Sequence, residues 1–273
     1  MTLDNYFGLG KPDDKKTTTH RTDSLHLITS AFEVWHSWLR NATPPCIPTK
    51  IQLKEIAEET DNFVASCVSY ETPVIEGGEY FAVVSQMDIN YKQYAGLFYT
   101  ALLNTKTDRM IVPNIGNLGC YWGYRMKKGL LDITAGTAWL GEDALGGCII
   151  NRGFAFGSLG ENAVGGLFVN LGTTYHLGPK AQGGIFINHG RCDDIGMHAS
   201  HGFFANYQPV NSVGYEGEGI FISPVKPYAD EYSQRLRLDE HLLSLINELE
   251  RASNDYVDIK TIERIVACVS LYS

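Results

Sequence analysis

A glycine recurs about every eighteen residues along the second half of this chain and limits the folds that the chain can adopt. Six such glycines are spaced 18, 19, 18, 18 and 17 residues apart, and each precedes an apolar run: Gly129, Gly147, Gly166, Gly184, Gly202 and Gly219. A second glycine, preceded by an aliphatic residue, follows 12 or 13 residues after each of the first five. An α-helix would instead show apolar residues at every third or fourth position, so the pattern predicts short strands between tight turns.

Short strands in an eighteen-residue unit are typical of a β-solenoid, in which each coil stacks on the previous one. Parallel strands of adjacent coils lie ~4.8 Å apart, so six coils would form a rod roughly 30 Å long. Glycine is expected where the backbone turns with a positive φ, or where two coils approach too closely for a side chain. We therefore predict a mainly β fold, a single-stranded β-helix with three faces per coil and flanking α-helices.

The flanking helices are predicted from apolar residues three or four positions apart. The predicted segments are a flexible N-terminus over 1–21, a helical segment over 22–73, the solenoid over 74–224 (clearest over 129–222) and a helical cap over 225–273. The early start of the solenoid rests on Gly78 and Gly96, which lie 18 residues apart and are predicted to open two further coils.

Asparagine occurs four residues after the glycine in four consecutive coils, at Asn151, Asn170, Asn188 and Asn206. In register, the four amides would hydrogen-bond from coil to coil and satisfy polar groups at a turn. We interpret them as a structural ladder at one corner rather than as a polar binding strip.

Two overlapping segments, Leu159–Gly166 and Gly165–Gly172, follow the patterns h-G-x-x-A-x-G-G and G-G-x-h-h-h-x-G, where h is apolar. The second segment departs from its pattern at the third h position, which is Asn170. This repeat resembles the GXGXG β-helix domain, which occurs in glutamate synthase large subunits and in one of the subunits of formylmethanofuran dehydrogenase. The resemblance covers residues 129–222 and implies a structural support within a redox enzyme complex. It also implies that redox cofactors lie in other domains or subunits, and it offers no catalytic residue.

One face of each coil is also similar to the left-handed hexapeptide-repeat acyltransferases, through Leu-Gly-x-x-Ala at Leu140, Leu159 and Leu177 and its variant at Ile195. The other two faces carry glycine or histidine where that repeat requires an aliphatic residue. The resemblance implies acyl transfer, with His198 at a corner as the general base that deprotonates an acceptor hydroxyl or amine.

Three polar residues lie ten positions after their glycines in successive coils: His176, Asp194 and Ser212. The register predicts one column with Asp194 in the middle. A Ser-His-Asp triad needs the histidine between the other two groups, so the order excludes a triad. His176 and Asp194 remain candidates for an acid–base pair in a hydrolase.

His189, Cys192 and Asp193 lie close together in the chain and include the residue types that bind transition metals. They are candidate ligands of a metal-dependent hydrolase, although their spacing matches no standard zinc motif. The alternative interpretation is that they are solvated residues at a corner.

The net charge of −9 disfavours nonspecific binding to nucleic acid or to anionic membranes. The terminus Met1–Lys16 has no apolar run of the kind found in a signal peptide, and no stretch approaches the ~20 apolar residues of a membrane span. The six cysteines are scattered and contain no C-x-x-C pair. We expect reduced thiols and a cytoplasmic location.

The sequence thus predicts a scaffold or subunit that is noncatalytic by itself and has a structural or protein-interaction role. The expected partners are further copies of the chain or another protein, with no nucleic acid and no membrane, and no cofactor is evident. The alternatives are a hexapeptide-type acyltransferase using His198 and a His/Asp or metal-dependent hydrolase.

Overall fold

The structure is a computed structural model that describes residues 19–42, 48–68, 74–76, 78–114 and 116–223, with single helical positions between 244 and 267. Most of the helical cap predicted over 225–273, and nearly all of the terminus predicted over 1–21, lies outside the described residues. Within the part that is described, no helix is both long and apolar enough to cross a membrane.

Two amphipathic helices come first, α1 (Thr19–Ala42) and α2 (Lys50–Cys67). The spacing in helix α1 predicts an apolar stripe, of which Leu25 is partly buried and the rest is fully buried: Ile28, Phe32, Trp35 and Leu39. The start of α2 is set by a capping box, in which Thr49 accepts from the backbone of Gln52 and the Gln52 side chain accepts from the backbone of Thr49.

Fourteen short strands follow among the described residues. In chain order they are β1 (Val74–Glu76), β2 (Arg109–Val112), β3 (Asn117–Cys120), β4 (Leu130–Ile133), β5 (Gly136–Leu140), β6 (Cys148–Asn151), β7 (Phe154–Leu159), β8 (Leu167–Asn170), β9 (Thr173–Leu177), β10 (Gln182–Asn188), β11 (Arg191–Ile195), β12 (His201–Asn206), β13 (Ser212–Val213) and β14 (Ile220–Ile222). They form two parallel sheets, an eight-stranded one in the order β1-β2-β4-β6-β8-β10-β12-β14 and a six-stranded one in the order β3-β5-β7-β9-β11-β13. Each coil adds one strand to each sheet, which confirms the mainly β solenoid, with about six turns of about 18 residues.

The glycines that open the strands stack in a single column, as their spacing predicts. Strands β6, β8, β10 and β12 pair with Cys148, Leu167, Ile185 and Phe203 in register, so the glycines before them coincide. A Cβ at Gly184 would lie 3.1 Å from the carbonyl oxygen of Gly166, which shows how little space separates adjacent coils.

The third side of the coil is a turn rather than a third continuous sheet. It carries a column of six non-glycine residues with φ between 50° and 56°: Arg125, Asp143, Asn162, Lys180, His198 and Glu216. The backbone N–H of Lys180 donates to the carbonyl of Met197 in the next coil, and that of His198 donates likewise to Tyr215. These left-handed corners therefore connect successive coils without strand pairing.

The single 19-residue interval, between Gly147 and Gly166, is explained by an extra residue in β7. The pairing of β7 with β9 shifts register between Ala155 and Ser158, and Gly157 lies there with a φ of 110°. A β-bulge thus accommodates the additional residue, and the next coil remains in register.

Residues 78–105 depart from the predicted repeat. Gly78 begins a 3-10 turn (Gly78–Phe81), which is followed by α3 (Ala82–Ser85), α4 (Ile89–Lys92) and α5 (Ala95–Thr105). The expectation that Gly78 and Gly96 open coils is therefore wrong. Gly96 lies within α5, where a Cβ would collide with the carbonyl of Cys120, so this glycine lets the helix lie directly against β3.

Helix α5 covers the N-terminal end of the solenoid and takes the place of a preceding coil. Within the coils, the N–H of Gly141 donates to the carbonyl of Trp122. One coil earlier the corresponding N–H, that of Gly123, donates to the hydroxyl of Thr100, and the N–H of Lys127 donates to the Asn104 side chain. Side chains of α5 thus satisfy backbone donors that would otherwise form an open edge.

A column of stacked phenyl rings, which was not among the predicted features, fills the interior of the coils. Phe168, Phe186, Phe204 and Phe221 stack with centroid spacings of 4.7, 4.7 and 4.8 Å. The signal was present, since phenylalanine lies two residues after the strand-opening glycine in each of these coils. The second glycine column lies against these rings.

The two sheets differ in what covers their outer faces. In β8, Phe168 and Asn170 point into the coil, so Leu167 and Val169 point outwards. Both outward side chains are nevertheless fully buried, and so are Leu130 and Ile187 in neighbouring strands. The six-stranded sheet instead leaves large side chains exposed, among them Phe156. Its outer face is therefore the more accessible of the two.

Candidate functional site

The four asparagines form a continuous hydrogen-bonded ladder inside the coils. Asn151 Nδ2 donates to Asn170 Oδ1 at 2.8 Å, Asn170 to Asn188 at 2.8 Å, and Asn188 to Asn206 at 2.9 Å. The last amide donates to the Ser223 hydroxyl at 3.2 Å. Because all four asparagines are fully buried, they bind the coils to one another and present no surface to a ligand.

His176, Asp194 and Ser212 lie side by side on β9, β11 and β13, with Asp194 in the middle. The Ser212 hydroxyl donates to Asp194 Oδ1 at 2.6 Å, and His176 Nδ1 lies 3.3 Å from Asp194 Oδ2. The serine is therefore held by the carboxylate and not by the imidazole, so nothing here activates it as a nucleophile. Chemically, the His176–Asp194 pair can hold or transfer a proton.

The three candidate metal ligands are not brought together, and this expectation is corrected. Cys192 points into the coil, where its thiol donates to the backbone carbonyl of Asp194 at 3.1 Å, and burial raises the pKa of that thiol. His189 lies at the corner before β11, and Asp193 lies on the outer side of that strand. Across the described ranges, no three His, Cys, Asp or Glu side chains are placed to hold a metal ion.

His198 occupies a left-handed corner, with a φ of 56°, on the turn side of the coil. Its Nδ1 lies 3.0 Å from Glu216 Oε2, and its ring makes an edge contact with Tyr215 at 5.7 Å between centroids. Both the histidine and the glutamate are exposed, so the imidazole lies in solvent and not in an enclosed site.

Exposed aromatic rings lie together on the outer face of the six-stranded sheet. Phe154 contacts Phe156 edge-on with centroids 4.1 Å apart, and it contacts Tyr175 at 5.8 Å. Phe156 and Tyr175 are each 46% exposed. We call these three residues the aromatic strip. Arg191 and Asp193 continue the same face on β11, two strands from β7.

The aromatic strip was not predicted from the repeat. Phe154 and Phe156 are separated by one residue, which is the spacing that places two side chains on one face of a strand. That spacing does not tell which face is outward, because the bulge at Gly157 changes the alternation within the same strand. The neighbouring residues His176 and Asp194 were identified from their register.

The turn side carries a buried carboxyl, Glu142, whose titration gives a testable prediction. Burial raises its pKa, Asp143 and Glu161 add to the rise, and Lys50, with Nζ 3.5 Å from the carboxylate, opposes it. The folded state therefore binds this proton more tightly than the unfolded state. The free energy of unfolding is therefore expected to fall as pH rises from about 4.5, the pKa of this group in the unfolded chain, towards its raised pKa in the folded protein.

We expect Glu142→Gln to abolish that fall, so that the variant gains stability relative to the wild type as pH rises across the window. Each unit of pKa difference corresponds to about 1.4 kcal/mol. The measurement is urea unfolding of both proteins from pH 4 to pH 8. Glu218→Gln on the exposed surface is the matched control, and equal pH profiles for wild type and Glu142→Gln would contradict the prediction.

These features define the class of molecule, a β-solenoid of two parallel sheets with an exposed aromatic strip on the six-stranded one. No family model, no curated protein and no solved structure matches this chain.

Proposed function

We propose that this protein is a scaffold, noncatalytic by itself, that binds protein through the outer face of its six-stranded sheet. The observation that carries the proposal is the contrast between the two sheets. Outward apolar side chains in the middle of the eight-stranded sheet, such as Leu167 and Val169, are buried, and exposed ones lie at its two ends, at Val74 and Ile220. The aromatic strip, in contrast, reaches solvent from the middle of its sheet. Aromatic residues and arginine are enriched at the centres of protein interfaces, and both occur on this face.

The rigidity of the coil supports the same function. The asparagine ladder and the stacked phenyl rings hold successive strands in register from within. A face built on such strands is ordered before binding, so association loses less conformational entropy than it would with mobile loops. A preformed surface of this kind suits a structural role.

A place within a redox enzyme complex is proposed from the resemblance to GXGXG domains, and it implies a partner subunit that carries the cofactor. The enzymatic alternatives draw support from the His176–Asp194 contact and from the His198–Glu216 pair. They are less well supported, because Ser212 is bound to the carboxylate and His198 lies in open solvent.

The test places a photo-crosslinking phenylalanine analogue at position 156 in cells that naturally produce the protein. We expect a discrete cross-linked species, because Phe156 lies in the centre of the proposed surface. The matched control is Val164, which is 51% exposed on the turn side of the coil and should give no such product. Equal labelling at both positions, or none at either, would contradict the proposal.

A further inference from the structure

We infer that the protein bound at this face is a second copy of the chain, in a weak dimer whose two-fold axis runs parallel to the solenoid. The inference rests on the proposed function and names the partner. Strand β11 carries a positive and a negative side chain at its two ends. In a symmetric face-to-face pair, the positive end of one copy can lie opposite the negative end of the other.

The outward residues follow a simple order across the sheet. On β7 the apolar Phe154 and Phe156 come first and Ser158 lies at the far end. On β11 the cation Arg191 lies at the beginning of the strand and the carboxylate of Asp194 at the other end. Positive and negative charge therefore lie on opposite sides of a midline that runs along the solenoid.

A face-to-face homodimer places its two-fold axis in the plane between the two sheets, where one patch meets itself. When the axis runs along the solenoid, each strand faces the same strand of the other copy, and the two strands run in opposite directions. When the axis passes between positions 192 and 193 of β11, Phe156 and Tyr175 each lie beside the same residue of the partner, offset by about one residue along the strand. Arg191 faces the partner's Asp194, and the reciprocal pair forms on the other side of the axis.

A two-fold axis could instead run parallel to the strands, between β7 and β9. That axis does not place Arg191 opposite the partner's Asp194. Strand β11 would then face β5, and Asp194 would lie against the partner's Trp139. Arg191 would face the partner's Gly136. Carboxylates buried against apolar groups are costly unless they are paired, so charge complementarity favours the axis along the solenoid over an axis between β7 and β9.

Both charged groups are available for such a contact. Arg191 is exposed, and within the described ranges no carboxylate lies at ion-pair distance from its guanidinium. Asp194 accepts a hydrogen bond from Ser212 at Oδ1, and its Oδ2 lies 3.3 Å from His176 Nδ1, but a carboxylate has about four acceptor positions. Its side chain is 22% exposed, so it can be reached from outside the sheet.

The size of the face sets the expected affinity. Five stacked strands of about four residues span roughly 20 Å by 13 Å, which is smaller than a standard interface. Asp193 also lies beside the partner's Asp193, about one residue along the strand, and the two arginines offset this repulsion only in part. We therefore expect a Kd of about 10–100 µM rather than an obligate dimer.

The test is sedimentation velocity of the full chain from about 1 to 500 µM, a range that brackets this Kd. The wild type should pass from monomer to dimer. Arg191→Asp and Asp194→Arg should each weaken dimerisation by at least about tenfold, because each puts like charges opposite one another. An equimolar mixture of the two variants should recover the dimer, because positions 191 and 194 of the two copies then face each other with opposite charges.

A thermal melt and two further variants distinguish loss of dimerisation from loss of folding. Because Asp194 holds Ser212, Asp194→Arg is checked by its thermal melt, and Phe156→Asp tests the same face at an exposed position. Phe156→Asp should remain monomeric, whereas Val164→Asp on the turn side should dimerise like the wild type. Wild-type protein that stays monomeric throughout, or a folded mixture that fails to recover, overturns the inference.

The outcomes separate this inference from the proposed function. If the wild type is monomeric but the cross-linker at position 156 captures a different protein, the scaffold function stands and the homodimer does not. If the wild type dimerises and the cross-linker at position 156 gives no product, the proposed surface itself is wrong, and so is the dimer built on it.

Discussion

The Gly178→Ala variant is expected to lose about 2–5 kcal/mol of unfolding free energy, although it adds only one methyl group. Gly178 has a φ of 62°, a conformation that costs an L-residue about 1–2 kcal/mol. The new Cβ would also lie 2.7 Å from Phe204 Cε1 and 2.9 Å from Phe186. Neither ring can withdraw, because each is stacked between its neighbours in the phenyl column. The measurement is the midpoint of urea unfolding.

The control for this prediction separates backbone strain from steric contact. Gly116 also has a positive φ, of 91°, but a Cβ there would meet nothing within 4 Å. Gly116→Ala should therefore cost only the backbone part, about 1–2 kcal/mol. The double variant Gly178→Ala, Phe204→Leu should lose less unfolding free energy than the two single variants lose together. Equal losses for the two alanine variants would show that the ring contact contributes nothing.

The Asn170→Ala variant should lose about 3–5 kcal/mol, because it interrupts the asparagine ladder in the middle. The change removes the donor to Asn188 Oδ1 and to the backbone carbonyl of Arg191, and it leaves a cavity inside the coil. A buried polar group that loses its partner costs about 1–3 kcal/mol. Urea unfolding at neutral pH gives the value.

Asn211→Ala provides the comparison for the ladder. Asn211 is an exposed asparagine, and its backbone N–H donates to the carbonyl of Asp193, a bond that the substitution leaves in place. Its loss should stay within about 0.5 kcal/mol, as is usual at the surface. If the two asparagine variants lose the same amount of stability, the ladder is not what holds the coils together.

The columns of the solenoid follow directly from the sequence. When coils stack in parallel register, residues eighteen apart become neighbours, so periodicity along the chain becomes contact in space. This is why the glycine column, the positions of the four asparagines and the order His176–Asp194–Ser212 could be derived from spacing. The chain departs from eighteen residues at the bulge in β7, and there a local change at Gly157 restores the register.

The same spacing failed where other contacts determined the backbone. Gly78 and Gly96 lie eighteen residues apart, yet the segment between them and up to Thr105 contains helices rather than coils. Tyr99, in the middle of α5, stacks on Trp122 with centroids 5.0 Å apart, so packing against the first coil stabilises a helix there. A glycine pair in isolation does not distinguish a turn from a close helix contact.

Contacts along the axis are periodic and can therefore be read from the residues alone, whereas contacts across the axis are not. Whether Cys192 points in or out, and whether an outward stripe such as Leu167 and Val169 is covered, depends on strand alternation, bulges and distant parts of the chain. For this reason the stacking order was predictable and the accessible face was not. The aromatic strip lies on that face because the six-stranded sheet leaves Phe156 and Tyr175 in solvent, an outcome of long-range packing that no repeat encodes.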